Sequence, residues 1–367
     1  MRFSCEKKDL LTGINIVQKA IPSRGTIPVL EGVFVETISD MLRLKCSDLA
    51  LSIESHIPAL VEAEGSVVLP GRVFSEMVRR FPEGRVEVEC DSERTVKITC
   101  GHSRPTLQGM SASEFPHMPV IPEAGAVEIS QCRLKNMIRQ AVFSVAADES
   151  KPILTGALIE VEDDDINMVA LDGYRLALRR EKLHRKHNSN RFVVPGRTLS
   201  EAAKILSDED SMISIYTGSN QALIDLGYTR IATRLLEGDF IKYRQILPQE
   251  HTTTATVSTL ELLEGIERAS LLAREGNNLI KISVQENKFI ITSNSEIGTA
   301  YEEIEAKMEG KQLDIAFNAK YFVDVLRNLD DEQIMLNFNT NISPCVVRPV
   351  EGERFLYLIL PVRVFGA

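Results

Sequence analysis

The sequence predicts an α+β fold that is built from three tandem copies of one domain. The main observation is a segment that runs from apolar residues through Pro-Gly-Arg into an amphipathic helix. It occurs three times, the last time in weaker form, at Val67–Phe81, Phe192–Leu206 and Leu313–Leu326. Arg72, Arg197 and Lys320 hold equivalent places in the copies, at spacings of 125 and 123 residues in a chain of 367. A period of about a third of the chain indicates repeated domains.

Strand and helix patterns follow the same order in each copy. The first copy opens with Phe3–Ala20, where Leu10, Ile14 and Val17 fall at helical spacing and predict one amphipathic helix. The apolar run Pro28–Glu36 predicts a strand. Further strands are predicted on both sides of the Pro-Gly-Arg helix, at Met41–Glu54, Gly65–Leu69, Arg85–Glu89, Thr95–Cys100 and Thr106–Met110.

The second copy repeats these elements at nearly constant spacing. Gln131–Phe143 predicts its first helix, Pro152–Glu160 matches the strand of the first copy, and Asp172 lies 124 residues after Asp48. The third copy keeps the order, with helices predicted at Ser258–Leu272 and Asn318–Leu329. Linkers rich in Pro, Thr or Gly then divide the chain into expected domains at 1–120, 126–248 and 251–367.

Composition indicates a globular protein without a membrane anchor. The hydrophobic content of 44% and charged content of 26% are ordinary for such proteins. No apolar run approaches the roughly 18 residues that span a bilayer, and Met1–Leu10 contains no apolar signal region. The six cysteines are scattered without a C-x-x-C pair, which indicates reduced thiols and a cytoplasmic location.

Motifs of cofactor and metal chemistry do not occur in the sequence. It contains no phosphate-binding glycine loop, no dinucleotide fingerprint, no H-E-x-x-H and no G-x-S-x-G. His184 and His187 lie close together without a cysteine partner, a pattern more typical of a solvated loop than of a metal site. We therefore expect no catalytic residues, no metal and no cofactor.

A charged stripe recurs on the helix that follows Pro-Gly-Arg. Basic, acidic and basic residues at i, i+4 and i+7 share one helical face. The triplets are Arg72, Glu76 and Arg79, then Arg197, Glu201 and Lys204, then Lys320, Asp324 and Arg327. Such stripes suit loose contact with a polyanion, although the net charge of −10 argues against a nucleic-acid binder as a whole. The alternative is a solvated, salt-bridged face inherited by duplication.

Three further segments are shared with a known family. They are Ala170–Ala177 (ALDGYRLA), Leu236–Pro248 (LEGDFIKYRQILP) and Tyr357–Val364 (YLILPVRV). With the tandem Pro-Gly-Arg helices, they make the chain resemble the bacterial β sliding clamps, the beta subunits of DNA polymerase III, over essentially its whole length. The resemblance implies three clamp domains of the processivity fold, each with two inner helices and outer antiparallel sheets.

The resemblance also implies a function and partners. Two subunits would close head to tail into a ring that encircles duplex DNA without reading its sequence and tethers the replicative polymerase. By family match the DNA-facing residues are Arg24, Arg72, Lys151 and Arg197. Expected protein partners are the DNA polymerase III alpha subunit, the clamp loader, and other polymerases and repair proteins that carry short linear motifs; no membrane partner is expected.

These partners would dock in an apolar peptide groove near the C-terminus. The residues that match the family's groove are Leu154, Leu171, Gly173, Tyr174, Arg175, Leu176, Ile241, Ile246, Tyr321, Ile342, Pro344, Leu358, Leu360, Pro361, Val362 and Arg363. For Leu154 and Leu176 a place in the core is an equal alternative. The chain departs from the family pattern at Tyr174, Ile241 and Gln245 and in the extension Phe365–Ala367, which could tune partner choice.

Ring closure is expected where the first and third domains meet across the subunit boundary. The match places Leu107, Leu271 and Leu272 at that contact. Two other readings stay open at this point. The chain could be an enzyme of tandem α+β repeats with a site at a domain junction, or a protein-binding scaffold that never encircles DNA.

Overall fold

The structure, a computed structural model, describes residues 1–22, 25, 27–122, 125–274 and 277–363. Contacts group the chain into two compact units. Unit 1 contains Met1–Cys132 and Lys204–Leu235, and unit 2 contains Arg133–Ala203 and Leu236–Ala367. The three domain boundaries expected from the linkers therefore stay a prediction.

Six α-helices lie in the described residues. They are α1 (Lys7–Val17), α2 (Gly71–Arg80), α3 (Gln131–Val142), α4 (Gly196–Ala203), α5 (Thr259–Ala273) and α6 (Ala319–Leu326). None of them is both long and apolar enough to cross a membrane.

The strands fall between and around these helices, and every pair that they form is antiparallel. Those that precede residue 131 are β1 (Arg2–Glu6), β2 (Gly32–Ile38), β3 (Met41–Ser47), β4 (Leu51–Pro58), β5 (Leu60–Ala63), β6 (Gly65–Pro70), β7 (Arg85–Cys90), β8 (Thr95–Cys100), β9 (Thr106–Gln108) and β10 (Val127–Ser130). The middle of the chain contributes β11 (Gly156–Leu171), β12 (Arg175–Pro195), β13 (Met212–Thr217), β14 (Gln221–Asp225) and β15 (Thr229–Arg234). The last third contributes β16 (Thr253–Ser258), β17 (Leu279–Gln285), β18 (Lys288–Ser295), β19 (Gly298–Gly310), β20 (Leu313–Asn318), β21 (Gln333–Phe338), β22 (Cys345–Pro349) and β23 (Phe355–Ile359).

Unit 1 holds two sheets. Five strands follow the order β5-β1-β7-β8-β9, and eight follow β10-β13-β14-β15-β4-β3-β2-β6. The larger sheet joins strands that are distant in sequence, because β15 pairs with β4 and sets Ile231 opposite Ile53. Helix α1 packs against β4 and buries Leu10 and Ile14.

Unit 2 is organised around one sheet of ten strands, in the order β11-β12-β23-β22-β21-β16-β19-β18-β17-β20. Strands β11 and β12 form a long hairpin, and β23 pairs with β12 so that Leu358 lies opposite Leu176. Helix α5 packs against β17, β18 and β19. A buried apolar cluster joins the hairpin to the end of the chain through Leu178, Val193 and Leu356.

The Pro-Gly-Arg helix forms for reasons that are local. Pro70 ends β6 and precedes the first turn of α2, a position where a proline costs no helical hydrogen bond. Phe74 and Val78 lie one turn apart and are buried, so the helix buries one apolar stripe. Arg79 and Arg80 lie in the last turn, where positive charge is favourable to the helix dipole.

Three predicted elements begin differently from expectation, one of them the strand predicted at Pro152–Glu160, which begins at Gly156 after a 3-10 turn at Pro152–Thr155. Residues Phe3–Cys5 belong to strand β1, which pairs with β7, so the helix predicted over Phe3–Ala20 begins only at Lys7. Phe3, Ser4 and Cys5 are all buried in this strand, and the helical spacing of Leu10, Ile14 and Val17 does not extend back to them. The strand predicted at Pro28–Glu36 begins at Gly32, after a 3-10 turn at Pro28–Glu31, since proline offers no N–H to a ladder.

All six cysteines are free thiols. Cys46 and Cys345 are fully buried, and burial raises the pKa of both thiols well above the usual range. Burial also raises the pKa of Cys5 to about 12. These three side chains act as small core residues, because a thiol that stays protonated is a poor nucleophile and a poor metal ligand.

Gly310, the last residue of β19, provides a test of the unit 2 sheet. Its φ is +109°, and an added Cβ would lie 2.1 Å from the carbonyl oxygen of Thr252. Gly352 has φ of +76° with open space around it, so it is a matched control for backbone strain alone. We expect Gly310→Ala to lower the free energy of unfolding by about 2 kcal/mol more than Gly352→Ala, because of overlap with that carbonyl. Chemical denaturation checks this; equal losses would show that the Thr252 backbone moves aside freely.

Candidate functional site

The floor of the predicted peptide groove lies in the core of unit 2. Leu154, Leu171, Leu176 and Leu358 are all buried and belong to one apolar cluster. Phe240 and Tyr243 pack into the same cluster from the segment that follows Leu236. These leucines are therefore core residues, and any groove would expose only the edges of this cluster.

Several exposed apolar residues lie in turns and chain segments directly next to the residues of this cluster. Tyr174 lies in the β11–β12 turn, Ile241 and Ile246 lie on either side of a 3-10 turn, and Leu360 and Val362 follow β23. Ile342 is exposed as well. Exposed side chains of this kind above an apolar cluster are typical of a surface that receives a peptide anchor.

A tight turn holds Tyr174 in place. The Oδ1 atom of Asp172 accepts the backbone N–H groups of Tyr174 at 2.9 Å and Arg175 at 3.0 Å. Gly173 adopts φ of +93°, the left-handed region that glycine enters without strain. The motif Asp-Gly-Tyr-Arg thus builds a side-chain-capped turn by local forces alone.

Arg175 is the buried charged residue of the site, with only 8% of its surface exposed. Its Nε donates to Asp172 Oδ2 at 3.0 Å and its Nη1 to Asp324 Oδ2 at 2.6 Å. Its Nη2 donates to the carbonyl oxygen of Phe143 at 2.7 Å. The guanidinium therefore ties together β12, α6 and the segment that follows α3.

Aromatic rings complete this arrangement. Tyr174 stacks on Tyr321 of α6 with ring centroids 5.8 Å apart and an angle of 17° between the planes. The Arg175 guanidinium lies 5.0 Å from the centroid of the same Tyr321 ring. Burial raises the pKa of the Tyr321 hydroxyl, and the Asp172 carboxylate adds to this effect. The exposed Tyr174 ring thus rests on a supported aromatic surface.

The end of the chain is fixed beside this turn. The N–H of Leu360 donates to the carbonyl oxygen of Tyr174 at 2.9 Å, and the N–H of Val362 donates to that of Ala316 at 2.8 Å. Pro361 lies between them half-buried, and Arg363 is exposed. The extension Phe365–Ala367 lies outside the described residues.

One predicted groove residue borders a different feature. Pro344 lines a small crevice of about 10 Å³ with Pro248, His251 and Arg348. The larger cavity of unit 2, about 580 Å³, is not part of the predicted groove and is lined mostly by charged side chains, among them Arg180, Lys182, Glu181 and Glu353. Sequence reasoning missed it, because its residues pair across strands and leave no local motif.

The predicted DNA-facing residues lie on equivalent elements. Arg72 and Arg197 are each the second residue of their helices, α2 and α4, and both are exposed. Lys151 is exposed just before a 3-10 turn. Arg24 lies outside the described residues.

The stripe predicted on the third helix keeps its two basic residues, Lys320 and Arg327, exposed, but its acidic residue turns inward. Asp324 turns toward the buried Arg175, and Arg327 donates to Glu267 of α5 at 2.6 Å. In the first copy Glu76 instead pairs along the same helix with Arg79 at 2.7 Å. The third copy differs because burial of an arginine requires a carboxylate partner, which no sequence period reveals.

The three predicted contact leucines lie on the surfaces of their own units. Leu271 projects from α5 with 61% of its surface exposed, and Leu272 on the same helix is half-buried. Leu107 is half-buried on β9, the edge strand of the five-stranded sheet of unit 1. Over the described residues, no group of three or more His, Cys, Asp or Glu side chains is placed to hold a metal ion.

Comparison with known proteins identifies the fold and the family. Family models of the DNA polymerase III beta subunit match in three parts: the N-terminal domain at residues 1–119, the central domain at 128–242 and the C-terminal domain at 244–363. The chain is 39% identical to the beta sliding clamp of Bacillus subtilis and 34% identical to that of Staphylococcus epidermidis, over the full length of both.

Solved structures agree with this result. The crystal structure of the Bacillus subtilis DNA polymerase sliding clamp superposes with a TM-score of 0.96 at 38% identity and covers 100% of both chains. A beta subunit structure from Eubacterium rectale gives 0.95 at 34% identity and covers 99% of this chain. The predicted α+β fold of three tandem clamp domains is thereby confirmed. The chain belongs to the DNA polymerase III beta subunit family, the bacterial beta sliding clamps.

Proposed function

We propose that this chain is the processivity clamp of a DNA polymerase III holoenzyme and that it has no catalytic activity of its own. Two copies close head to tail around duplex DNA in the cytoplasm and tether the polymerase to its template. The observation that carries this proposal is full-length similarity to beta sliding clamps together with three successive domain matches. We place the domain boundaries near 120–126 and 248–251, in the linkers rich in Pro, Thr or Gly.

Ring closure is proposed through the exposed end of α5 and the edge strand β9. A three-residue edge strand offers unpaired backbone groups to another chain. Leu271 offers an apolar side chain that is costly to leave in water. The edge strand lies on unit 1 and Leu271 lies on unit 2. Each of them exposes groups that a contact with a second subunit would satisfy or bury.

A substitution on α5 tests the ring and the clamp function together. Leu271→Asp should yield monomers in sedimentation analysis, because burial of an unpaired carboxylate in the contact costs several kcal/mol. The monomer should also be lost from nicked circular DNA, on which the unaltered protein is retained after loading and from which it escapes once the DNA is linearised.

Leu260→Asp is the matched control. Leu260 lies on the same helix and is 62% exposed, compared with 61% for Leu271. It should leave the dimer and its retention unchanged. A dimeric Leu271→Asp protein would refute this contact, and equal retention on circular and linear DNA would refute the encircling ring.

DNA contact is proposed through Arg24, Arg72, Lys151 and Arg197, which would meet phosphates without reading bases. The support is the equivalent position of Arg72 and Arg197 at the starts of α2 and α4. Phosphates met by long basic side chains give affinity that is independent of sequence and sensitive to salt.

The salt dependence of DNA binding provides the measurement. Arg72→Ala and Arg197→Ala should each reduce the slope of log K against log salt by roughly one unit, equally for any sequence. Arg85→Ala serves as control, because Arg85 is exposed on strand β7 of a sheet and not on a helix of the repeat. An unchanged slope in both helix variants, or a change in sequence preference, would contradict the proposal.

Partner proteins are proposed to dock at the exposed apolar surface formed by Tyr174, Ile241, Ile246, Leu360 and Val362. The polymerase alpha subunit, the clamp loader and repair proteins would each present a short segment with one long apolar and one aromatic residue. Support comes from the stacked Tyr174–Tyr321 pair, which gives an aromatic anchor a firm surface. Affinity for one such peptide should be micromolar, on the order of −8 kcal/mol.

Calorimetry with such a peptide tests the groove. Tyr174→Ala should weaken binding by at least about 2 kcal/mol, the loss typical of a central aromatic anchor. Tyr301→Ala is the matched control, since Tyr301 is 61% exposed and Tyr174 is 60% exposed. Deletion of Leu360–Ala367 should abolish binding and leave the dimer intact. Retained binding after that deletion would place the site elsewhere, and a lost dimer would make the tail structural.

A further inference from the structure

A cavity of about 210 Å³ in unit 1 is not used by any step of the proposed function. Its walls come from the β3–β4 turn, the segment after Phe115 and the β14–β15 pair. The lining residues are Ser47, Leu49, Ala50, Ser52, Pro116, His117, Pro119, Gln221, Ala232, Thr233 and Arg234. None of these is acidic, whereas Arg234 carries a positive charge.

The turn beside this cavity has the same construction as the turn that holds Tyr174 in unit 2. Asp48 Oδ1 accepts the backbone N–H groups of Ala50 at 3.0 Å and Leu51 at 2.7 Å. The N–H of Arg234 donates to the carbonyl oxygen of Ala50 at 2.8 Å. In unit 2 the corresponding bonds are donated by the N–H groups of Tyr174 and Arg175 to Asp172 Oδ1, and by the N–H of Leu360 to the carbonyl oxygen of Tyr174. The cavity is thus the unit 1 counterpart of the proposed peptide groove.

The strand register shows how the chemistry of the two places differs. Ser52 lies opposite Ala232, as Leu176 lies opposite Leu358. Ser47 stands where the second unit has Leu171, since both come directly before the capping aspartate. The hydroxyl groups of Ser47 and Ser52 lie 2.7 Å apart and bond to each other. An apolar floor has been replaced by hydroxyl groups and a methyl group, which suits a polar guest and not an apolar one.

Backbone strain marks the same turn. Leu49 has φ of +74°, a region that residues with a branched side chain rarely adopt, whereas its counterpart Gly173 enters it without strain. The Leu49 side chain is exposed and lines the cavity. Strained residues held by surrounding structure are concentrated at functional sites.

Arg234 supplies the charge that selects the guest. The backbone of Arg234 is held on two sides. Its N–H donates to the carbonyl oxygen of Ala50 in the β3–β4 turn, and the residue pairs with Gln221 of β14. Its side chain is exposed, and no carboxylate among the described residues pairs with it. An unpaired guanidinium on a fixed backbone beside a cavity is suited to a carboxylate, with which it can form two parallel hydrogen bonds.

We propose that this cavity is a second docking site, which receives a glutamate side chain from an extended segment of a partner protein. The size of the cavity supports a side chain as guest, since pockets for whole small molecules usually measure roughly 300–1,000 Å³. The Ser47–Ser52 bond uses one of the two hydroxyl hydrogens, so Arg234 and the remaining serine hydroxyl provide the donors that a carboxylate accepts. The site is distinct from the unit 2 groove in sequence and in chemistry.

The test uses the full chain with isotope-labelled alanine and leucine methyl groups and magnetic resonance. The probe is the capped peptide acetyl-Gly-Glu-Leu-Gly-amide, at concentrations up to the order of 1 mM. We expect shifts at Leu49, Ala50 and Ala232, and no shift for the same peptide with glutamine in place of glutamate. Arg234→Gln should weaken binding roughly tenfold or more, because a charged hydrogen-bond partner is lost. Arg85→Gln, on an exposed strand of unit 1, should not.

A second variant keeps the test valid if Arg234→Gln disturbs the fold. Ala50 is exposed, and its counterpart in unit 2 is Tyr174, so Ala50→Tyr should fold and cover the cavity. It should abolish the shifts at Leu49 and Ala232. Shifts confined to Leu358 and Leu360, equal binding of the glutamine peptide, or no shift at all would each overturn the proposal. The shifts at Leu49, Ala50 and Ala232 report on unit 1 alone, so failure of the unit 2 groove to bind its own peptides would leave this test unaffected.

Discussion

The burial of Arg175 is the constraint on which the organisation of unit 2 depends. A guanidinium taken out of water is costly unless its donors are satisfied. Here two carboxylates and one backbone carbonyl satisfy them, from the β11–β12 turn, from α6 and from the residue after α3. Because these partners come from distant parts of the chain, the charge fixes how α6 and the end of the sheet lie against β12. The positions of Tyr174, Tyr321 and β23 depend in turn on the contacts of the Arg175 guanidinium.

Duplication gave the chain the same turn twice with different surroundings. In both units an aspartate side chain accepts two backbone N–H groups of the turn. A backbone N–H from a neighbouring segment, that of Arg234 or Leu360, then donates to the carbonyl oxygen of the turn residue Ala50 or Tyr174. The two turns therefore share one backbone geometry. The side chains around them differ: leucines and stacked tyrosines in unit 2, hydroxyl groups and Arg234 in unit 1.

The charge distribution explains how an acidic chain can belong to a family of DNA clamps. The net charge is −10, yet Arg72 and Arg197 stand exposed at equivalent helix starts. Affinity for a phosphate backbone depends on local positive charge close to it and not on the total. In the third copy Lys320 is likewise exposed as the second residue of α6, whereas Asp324 and Arg327 pair with partners within unit 2.

The sequence by itself determined the elements that depend on local forces. The period of about 124 residues predicted repeated domains, and the amphipathic stripes and turns predicted helices and chain reversals, because hydrophobic spacing and turn chemistry act within a few residues. The family followed from the resemblance of Ala170–Ala177, Leu236–Pro248 and Tyr357–Val364 and the tandem Pro-Gly-Arg helices to a known sequence pattern. Tertiary structure decided what depends on distant partners: Phe3–Cys5 became a strand because β7 pairs with it. Likewise Asp324 points toward the buried Arg175, whose charge it balances, and not along the predicted stripe. The leucines of the predicted groove lie in the core because β23 packs against them. No local pattern encodes which distant group arrives, so these placements follow only from the folded chain.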